Sequence, residues 1–277
     1  MARTVALWVA YDGTEFHGWQ NQPGLRTVQG VLEQSLRRVL RHQVDLMGSG
    51  RTDAGVHAQG QVGSFVTTCP MVSDKLKHAI GSKLPKDISI VTARDVHVDF
   101  HAQRSALSKL YVYRIHNTRH RPVESMMQNH TYHFWHELDT ERMALGASHL
   151  VGEKDFAAMA ASGSTAQTTV RTVLRCDVYR HYEEVRVEVE GKGFLYNQVR
   201  NMVGTLLQVG IKRWEPEYIQ TILESRLRAN AGPTAPARGL CLRWVRYPPK
   251  LLRPATEGER ESVESTVTSG VVDEGEE

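Results

Sequence analysis

Segments that alternate apolar and polar residues follow one another along this chain with only short turns between them. In the clearest case Val185, Val187 and Val189 alternate with charged residues, which is typical of a strand with one buried face. Because consecutive strands joined by short turns pair antiparallel, this order predicts an α+β fold with a mixed, largely antiparallel central sheet. Strand patterns cover residues 4–11, 62–66, 88–98, 110–116, 130–135, 170–179, 184–190 and 239–247, with a short one near Val44.

Helical spacing of apolar residues marks the segments between these strands. It covers residues 28–40, 73–84, 140–150, 194–209 and 216–227. Thr27, Ser73 and Asp139 are the predicted N-caps of the first three, and Pro216 opens the last. Strands and helices divide into two similar sets, which predicts two related α/β subdomains, residues 1–105 and 106–250, with a cleft between them.

The charge of the chain is unevenly distributed. Residues 255–277 hold eight acidic residues and one basic residue, so the rest carries 33 basic against 23 acidic residues, a formal charge of +10. A tail with this composition, placed at residues 251–277, is predicted to be disordered. The basic body favours a polyanionic partner such as RNA, although a solvated basic surface gives the same count. Residues 16–24 either contact bases through two aromatics and three amides or pack as a surface loop.

Composition also excludes several classes of protein. No apolar run approaches the length of a membrane span, and Met1 leads directly into a strand pattern without a signal peptide. The three cysteines, Cys69, Cys176 and Cys241, are far apart and odd in number, which argues against disulfides and thiolate metal sites. A cytoplasmic protein that does not contact membranes is the expectation.

Glycines bracket the segment Gly50–Ala58, which crowds Arg51, Asp53 and His57 together. Apolar stretches on both sides predict a strand, a loop with Asp53 at its apex, and a second strand. A carboxylate beside an arginine on such a loop is a candidate functional site. A turn with an Asx-type cap and an ordinary ion pair explains the same spacing.

Arg200 lies at the border of the apolar stripe of the helix predicted over residues 194–209. From there its guanidinium can reach a half-buried partner while its stem packs on apolar surface, and Asp53 is a suitable partner. An adjacent arginine is expected to lower the pKa of Asp53 and keep it ionised. A snorkelling surface arginine is the alternative.

The thirteen histidines do not form a recognisable metal motif. His130, His133 and His136 are spaced by three within a strand pattern, where that spacing does not converge on one face. The chain also has no phosphate-binding P-loop, no G-x-G-x-x-G and no G-x-S-x-G. Neither a bound metal ion nor a nucleotide cofactor is therefore expected.

Five segments together resemble the TruA-type tRNA pseudouridine synthase family. Gly50–Ala58 is similar to the family's signature loop, and the other matches occur in the family's order. They are Tyr11–Thr14 with Phe16–Gln20; Phe100–Ala102 with Ser105, Ala106, Lys109, Tyr111 and Tyr113; Phe194, Leu195, Val199, Arg200 and Met202–Gly204; and Ala235–Ala237 with Gly239, Leu240 and Leu242. The resemblance covers residues 3–248.

The resemblance implies an isomerase that moves the glycosidic bond of uridine from N1 to C5 without cofactor or metal. It implies that Asp53 is the essential aspartate, that Tyr111 stacks on the target base and that Arg200 pairs with the aspartate. Arg51 would fill the space that a flipped base leaves, since the target base must leave its stack to react. His57 and Phe194 are expected to contact RNA as well.

Bacterial members of the family act as homodimers on positions 38, 39 and 40 of the tRNA anticodon arm, and this chain resembles the bacterial type. The expected partners are therefore tRNA and a second copy of the chain. Alternatives are a pseudouridine synthase with another RNA target, an RNA-binding protein of the same fold without catalysis, and a metal-dependent nuclease that uses Asp53 and histidines.

Overall fold

The structure of the protein is a computed structural model that describes residues 2–161 and 167–254. The predicted disorder of the acidic tail falls, from residue 255 onward, outside the described residues. Residues 251 and 252 belong to a 3₁₀ turn, Pro249–Leu252, and the Leu251 carbonyl accepts a hydrogen bond from the His97 amide at 3.1 Å. None of the described helices is both long and apolar enough to cross a membrane.

A single ten-stranded sheet runs through the described part of the chain. Its strands are β1 (Arg3–Tyr11), β2 (Met47–Gly48), β3 (His57–Thr67), β4 (Ile88–Val96), β5 (Ser108–His116), β6 (Tyr132–His133), β7 (Gly152–Asp155), β8 (Val170–His181), β9 (Glu184–Gly191) and β10 (Leu240–Arg246). The order across the sheet is β4-β1-β3-β10-β5-β9-β8-β7, with β2 beside β3 and β6 beside β5. Only the β10–β3 and β5–β6 pairs among these are parallel, so the predicted mixed, largely antiparallel sheet is confirmed.

Six α-helices accompany the sheet in the described residues: α1 (Val28–Leu40), α2 (Ser73–Gly81), α3 (Ser125–His130), α4 (Thr140–Ser148), α5 (Gln198–Gly210) and α6 (Tyr218–Ser225). Helix α2 packs on β4, and α4 packs on both β8 and α5. Thr27 and Asp139 cap α1 and α4 as predicted, since their side chains accept from the Gly30 and Arg142 amides. Nearly every residue of α5 is buried, as expected for a helix covered on all sides.

The last strand, β10, joins the two halves of the chain. It lies between β3 and β5, and its Leu242 pairs with Ala58 on one side and Tyr111 on the other. Because neighbouring strands are about 4.8 Å apart, Tyr111 lies roughly 10 Å across the sheet from the strand that follows the Asp53 loop. The two predicted subdomains thus share one continuous sheet, and their boundaries remain a prediction.

Two short strand predictions are wrong in position. The segment predicted as one strand over residues 130–135 is the end of α3 followed by the two-residue strand β6, and the Thr131 hydroxyl donates to the Met127 carbonyl at the helix end. The strand expected near Val44 forms later in the chain, as β2, and the Leu46 carbonyl before it accepts a hydrogen bond from the Gln29 side chain at 3.0 Å.

Three helix starts also differ from the prediction. Helix α6 begins at Tyr218 and not at Pro216. Ser73 is the first residue of α2 and not its cap, because its hydroxyl is bound to Asp95 at 2.9 Å and to Arg3 at 3.2 Å. Helix α5 begins at Gln198, because Asn197 has a φ of 59° and interrupts the helical path.

Candidate active site

The loop that carries Asp53 is fastened to the loop after β1. The Trp19 amide donates to the Thr52 carbonyl at 3.0 Å, and the hydroxyls of Tyr11 and Thr52 are 2.8 Å apart. Gly18 makes this approach possible, since its φ is +88° and a Cβ there would lie 2.6 Å from the Thr52 carbonyl oxygen. The backbone on the N-terminal side of Asp53 is therefore fixed before any substrate binds.

The start of the same loop is held from β3. The Gln61 amide group donates to the Gly50 carbonyl at 2.9 Å, and its oxygen accepts from the Ser49 hydroxyl. The Ser49 amide in turn donates to the Val62 carbonyl at 2.7 Å. These bonds satisfy buried polar groups that would otherwise be costly, and they tie the loop to β3, an interior strand of the sheet.

Arg200 pairs with Asp53, as one of the two sequence hypotheses predicts. Its Nη1 lies 3.3 Å from Asp53 Oδ2, and the two side chains are 17% and 19% exposed. The same Nη1 donates to the Asn197 side chain at 2.8 Å, and Nε donates to the Ala235 carbonyl at 2.7 Å. Three acceptors therefore orient the guanidinium. A snorkelling surface arginine would not have such a set of acceptors.

Gly204 allows the segment that holds Arg200 to pass close to α5. A Cβ at Gly204 would lie 1.6 Å from the Pro233 carbonyl oxygen, so no other residue fits without moving the backbone. The chain then reaches Ala235, whose amide donates to the Arg200 carbonyl at 3.1 Å. The close helix contact thus sets the position of the guanidinium one turn away.

Burial raises the pKa of the Asp53 carboxyl above its ordinary value, and the nearby Arg200 guanidinium opposes this effect. Arg200 lowers the Asp53 pKa, as the sequence predicts, but burial outweighs this effect and the net shift is upward. The physical reason is that burial removes water from the carboxylate, and the loss of hydration destabilises the ionised form more than the Arg200 ion pair stabilises it. The result is a carboxylate more basic than an exposed aspartate.

Tyr111 presents its ring to the same space from β5. The ring meets Phe194 edge to face with centroids 5.4 Å apart. Burial is the main cause that raises the pKa of Tyr111, followed by the nearby Tyr11 and Asp53. Within the described residues the Tyr111 hydroxyl has no hydrogen-bond partner, so it is available to a ligand.

These side chains line one open cavity of about 1020 Å³. Asp53, Tyr111, Arg200, Arg51 and Phe194, all predicted from the sequence, contribute to its wall. Its further lining includes His17, Gln20, Gln22, Gln103, Lys109, Arg171, Lys192 and Tyr196. Basic, amide and aromatic groups around an open cavity are the chemistry that RNA-binding sites use.

Residues 16–24 form a packed surface loop, and their contact with bases stays a prediction. Phe16 and Trp19 are each 3% exposed and pack in the core, although Trp19 also borders the cavity. His17, Gln20 and Gln22 line the cavity and carry the polar side chains of this loop that a ligand could reach.

His57 lies apart from the cavity and is only 4% exposed. Its Nδ1 accepts from the Gly13 amide at 3.0 Å, and its Nε2 lies 3.0 Å from the Asn129 carbonyl oxygen. Burial and the neighbouring His130 lower the pKa of His57, which agrees with the neutral ring that this pairing requires. The predicted RNA contact of His57 stays untested, and its geometry fits a residue that holds the loop.

Asp12, His57 and His130 form the group with metal-ligand chemistry in the described residues, with one ligand atom of each within 4.8 Å of the others. His57 Nδ1 lies 3.2 Å from Asp12 Oδ1, and His130 Nε2 lies 3.2 Å from Asp12 Oδ2. A cation bound to Nδ1 would have to displace the Gly13 amide, because the ring nitrogen has a single lone pair. The cluster is better described as a set of hydrogen bonds and close polar contacts that ties α3 to the loop after β1.

Sequence reasoning missed several parts of this site. Asn197 and the Ala235 carbonyl orient Arg200, and Gln61 fixes the start of the Asp53 loop. A backbone carbonyl carries no side-chain signal, so the role of Ala235 could not be read from the sequence. Asn197 had a signal, since asparagine tolerates the left-handed conformation that it adopts before α5.

Comparisons with known proteins agree with this geometry. The family model described as tRNA pseudouridine synthase matches residues 7–103 and 147–248, which include Asp53 and Arg200. A protein of Acetivibrio thermocellus named tRNA pseudouridine synthase A is 44% identical over 245 residues, covering 88% of this chain and 100% of that protein. A Coxiella burnetii protein of the same name is 40% identical over 254 residues, covering 92% of this chain and 96% of its own.

A chain from the archaeal box H/ACA sRNP Nop10–Cbf5 complex is a more distant match among solved structures. It is 11% identical with a TM-score of 0.35 and covers 82% of this chain and 60% of that one, which is too low a likeness to argue from. The family match and the relatives extend over most of the chain and are sufficient by themselves to assign the family. This chain therefore belongs to the tRNA pseudouridine synthase family.

Proposed function

We propose that this protein isomerises uridine to pseudouridine at positions 38, 39 and 40 in the anticodon stem-loop of tRNA, with Asp53 as the essential carboxylate. The observation that supports this best is the Asp53–Arg200 pair in the wall of a cavity that also presents the Tyr111 ring. The names of the family and of the curated relatives supply the reaction. The anticodon positions rest on the resemblance of the signature segments.

The cavity suits a single nucleotide that has left its stack. Small-molecule sites have volumes of roughly 300–1,000 Å³, and the volume here, about 1020 Å³, leaves room for a flipped nucleotide with its neighbouring phosphates. Flipping costs a few kcal/mol, and stacking on an aromatic ring returns about 1–3 kcal/mol per base. In this proposal Tyr111 supplies that contact and Arg51 fills the vacated stack; both residues line the cavity, which supports these roles.

The reaction is an isomerisation: the product has the same atoms as uridine, apart from one proton that is exchanged with solvent, and only the glycosidic bond moves. The N1–C1′ bond breaks, the C5–C1′ bond forms, and the hydrogen on C5 leaves to solvent while N1 gains a proton. A carboxylate that burial has made more basic is suited to assist these steps, since it is both a better nucleophile and a better proton acceptor. Arg200 keeps that carboxylate aimed into the cavity.

The test is a map of pseudouridine in tRNA transcripts incubated with the purified protein. Carbodiimide treatment followed by primer extension is expected to show stops at positions 38, 39 and 40 and none after Asp53→Ala. Stops at other positions would overturn the proposed target, and tRNA binding without any stop would indicate an RNA-binding protein without catalysis. Shortened RNA that a chelator prevents would instead indicate a metal-dependent nuclease.

The proposal includes a homodimer that works in the cytoplasm, both carried by the resemblance. Sedimentation equilibrium of the full chain, whose monomer mass is 31.2 kDa, is expected to give twice that mass. A monomer at the concentrations used for the activity assay would remove the dimer from the proposal and leave the reaction unaffected.

A further inference from the structure

Lys109 shares the cavity with Tyr111. The two residues are two positions apart on β5, so their side chains leave the same face of the sheet, and both line the cavity. The Lys109 ammonium donates to the Ser49 carbonyl at 2.6 Å, at the start of the Asp53 loop. The Lys109 ammonium therefore lies at the start of the loop that carries Asp53, in the cavity that Asp53 and Tyr111 also line.

The Lys109 ammonium has no carboxylate partner within the described residues. The Asp53 carboxylate is held by Arg200, and the ion pairs of the described chain do not include Lys109. Burial lowers the pKa of Lys109 to about 8, and burial alone accounts for that shift. A half-buried cation beside a single neutral acceptor loses part of its hydration, and an anionic ligand would offset that loss.

The space beside the ammonium is left open by Gly50. A Cβ at Gly50 would lie 2.8 Å from Lys109 Nζ, so a larger residue would cover it. One hydrogen bond to Ser49 uses one of the three N–H donors of the ammonium, and two remain for a ligand in the cavity. The site therefore offers a positive charge and donors to an anion that enters with the substrate.

A nucleotide brings such an anion with it. A flipped uridine enters with a phosphodiester on each side, while its base and ribose occupy the space near Tyr111 and Asp53. Lysine binds phosphate oxygens as a compact point charge. We propose that Lys109 is a substrate-binding residue of this cavity whose ammonium contacts a phosphodiester directly adjoining the target uridine.

This inference rests on the proposed function for the identity of the target uridine. The first experiment compares Lys109→Met and Lys109→Gln with the wild type. Glutamine keeps a donor for the Ser49 carbonyl and removes the charge, so a purely structural role of Lys109 predicts that Lys109→Gln retains activity. The inference predicts that both variants lose on the order of tenfold or more in kcat/KM for tRNA, as expected for losing a hydrogen bond to a charged group. Both variants are expected to keep the melting temperature of the wild type or exceed it.

The second experiment is a double-mutant cycle with the substrate. The tRNA carries a neutral methylphosphonate at the linkage on the 5′ or the 3′ side of the target uridine. One of the two substitutions is expected to lower wild-type kcat/KM by on the order of tenfold and to cost Lys109→Met nothing further. Equal losses in wild type and variant at both linkages would overturn the inference. Lys75→Met, on the exposed face of α2 outside the cavity, is the matched control and should respond like the wild type.

A binding measurement separates this inference from the proposed reaction. The dependence of tRNA affinity on salt is expected to lose about one unit of slope in Lys109→Met and to stay unchanged in Lys75→Met. This result does not require any isomerisation, so it can support the phosphate contact even if no pseudouridine forms. An unchanged slope in Lys109→Met would refute the phosphate contact while leaving the reaction proposal standing.

Discussion

Replacing Arg200 by methionine tests the electrostatic part of the site. The Nη1–Oδ2 distance is 3.3 Å. Two unit charges about 4 Å apart interact by about 1 kcal/mol in water and about 4 kcal/mol at an effective dielectric constant of 20. Because each side chain is about a fifth exposed, a value of about 2 kcal/mol is reasonable, which is roughly thirtyfold in the ionisation equilibrium of Asp53.

The direction of the effect follows from the two opposing causes. Burial raises the pKa of Asp53 and Arg200 opposes it, so removing the guanidinium leaves burial unopposed and raises the pKa further. The ionised carboxylate then forms only at higher pH. The acid limb of the kcat/KM profile is therefore expected to move to higher pH. When each enzyme's kcat/KM is divided by its own plateau value, Arg200→Met is expected to be roughly thirtyfold lower than the wild type at the same acidic pH.

The assay is release of tritium from tRNA labelled at uracil C5, measured from pH 5 to pH 9. Arg200→Lys keeps a positive charge and is expected to move the limb less than Arg200→Met. Arg142→Met is the control. Arg142 lies on α4, away from the cavity, and its Nη2 is 2.9 Å from Glu215 Oε2. An acid limb of Arg200→Met at the wild-type pH would refute the electrostatic argument, whatever the loss at the plateau.

Three further predictions concern stability and binding. Because burial raises the pKa of Asp53 in the folded state, stability falls as pH rises from the unfolded pKa through the folded one, so Asp53→Asn should melt no lower than wild type at pH 8. Tyr111→Phe should keep tRNA affinity, whereas Tyr111→Ala should lose about 1–3 kcal/mol in a filter-binding assay, and equal losses would argue against stacking. Gly204→Ala should cost about 3 kcal/mol of unfolding free energy in urea, since its Cβ meets the Pro233 carbonyl, while Gly81→Ala, with open space around it, should be close to neutral.

The sheet class could be predicted from periodicity because strand alternation and short turns are local properties of the sequence. The position of β10 could not, since nothing in residues 240–246 indicates that they pair with β3 and β5 rather than with an edge. The pairing of β10 with β3 and β5 depends on contacts between residues far apart in the sequence. It brings the Asp53 loop and Tyr111 to one cavity.

The Asp53–Arg200 pair could be predicted as one of two outcomes from the border position of Arg200 on its helix. The net direction of the Asp53 pKa could not, because burial of the loop depends on Gly18 and Tyr11, which hold it against the first strand. The predicted helix start at residue 194 is wrong for a related reason. Asn197 adopts a left-handed conformation and contacts Arg200, and neither feature follows from the apolar periodicity of the segment.

We propose that Asp53 performs chemistry rather than supporting the fold. Tritium release from C5-labelled tRNA, measured in a single turnover with Asp53→Ala beside the wild type, tests it most directly. We expect complete release by the wild type and none by the variant, with the tRNA affinity and melting temperature of the variant close to those of the wild type. Release by Asp53→Ala at the wild-type rate, or loss of tRNA affinity and folding in step with activity, would contradict it.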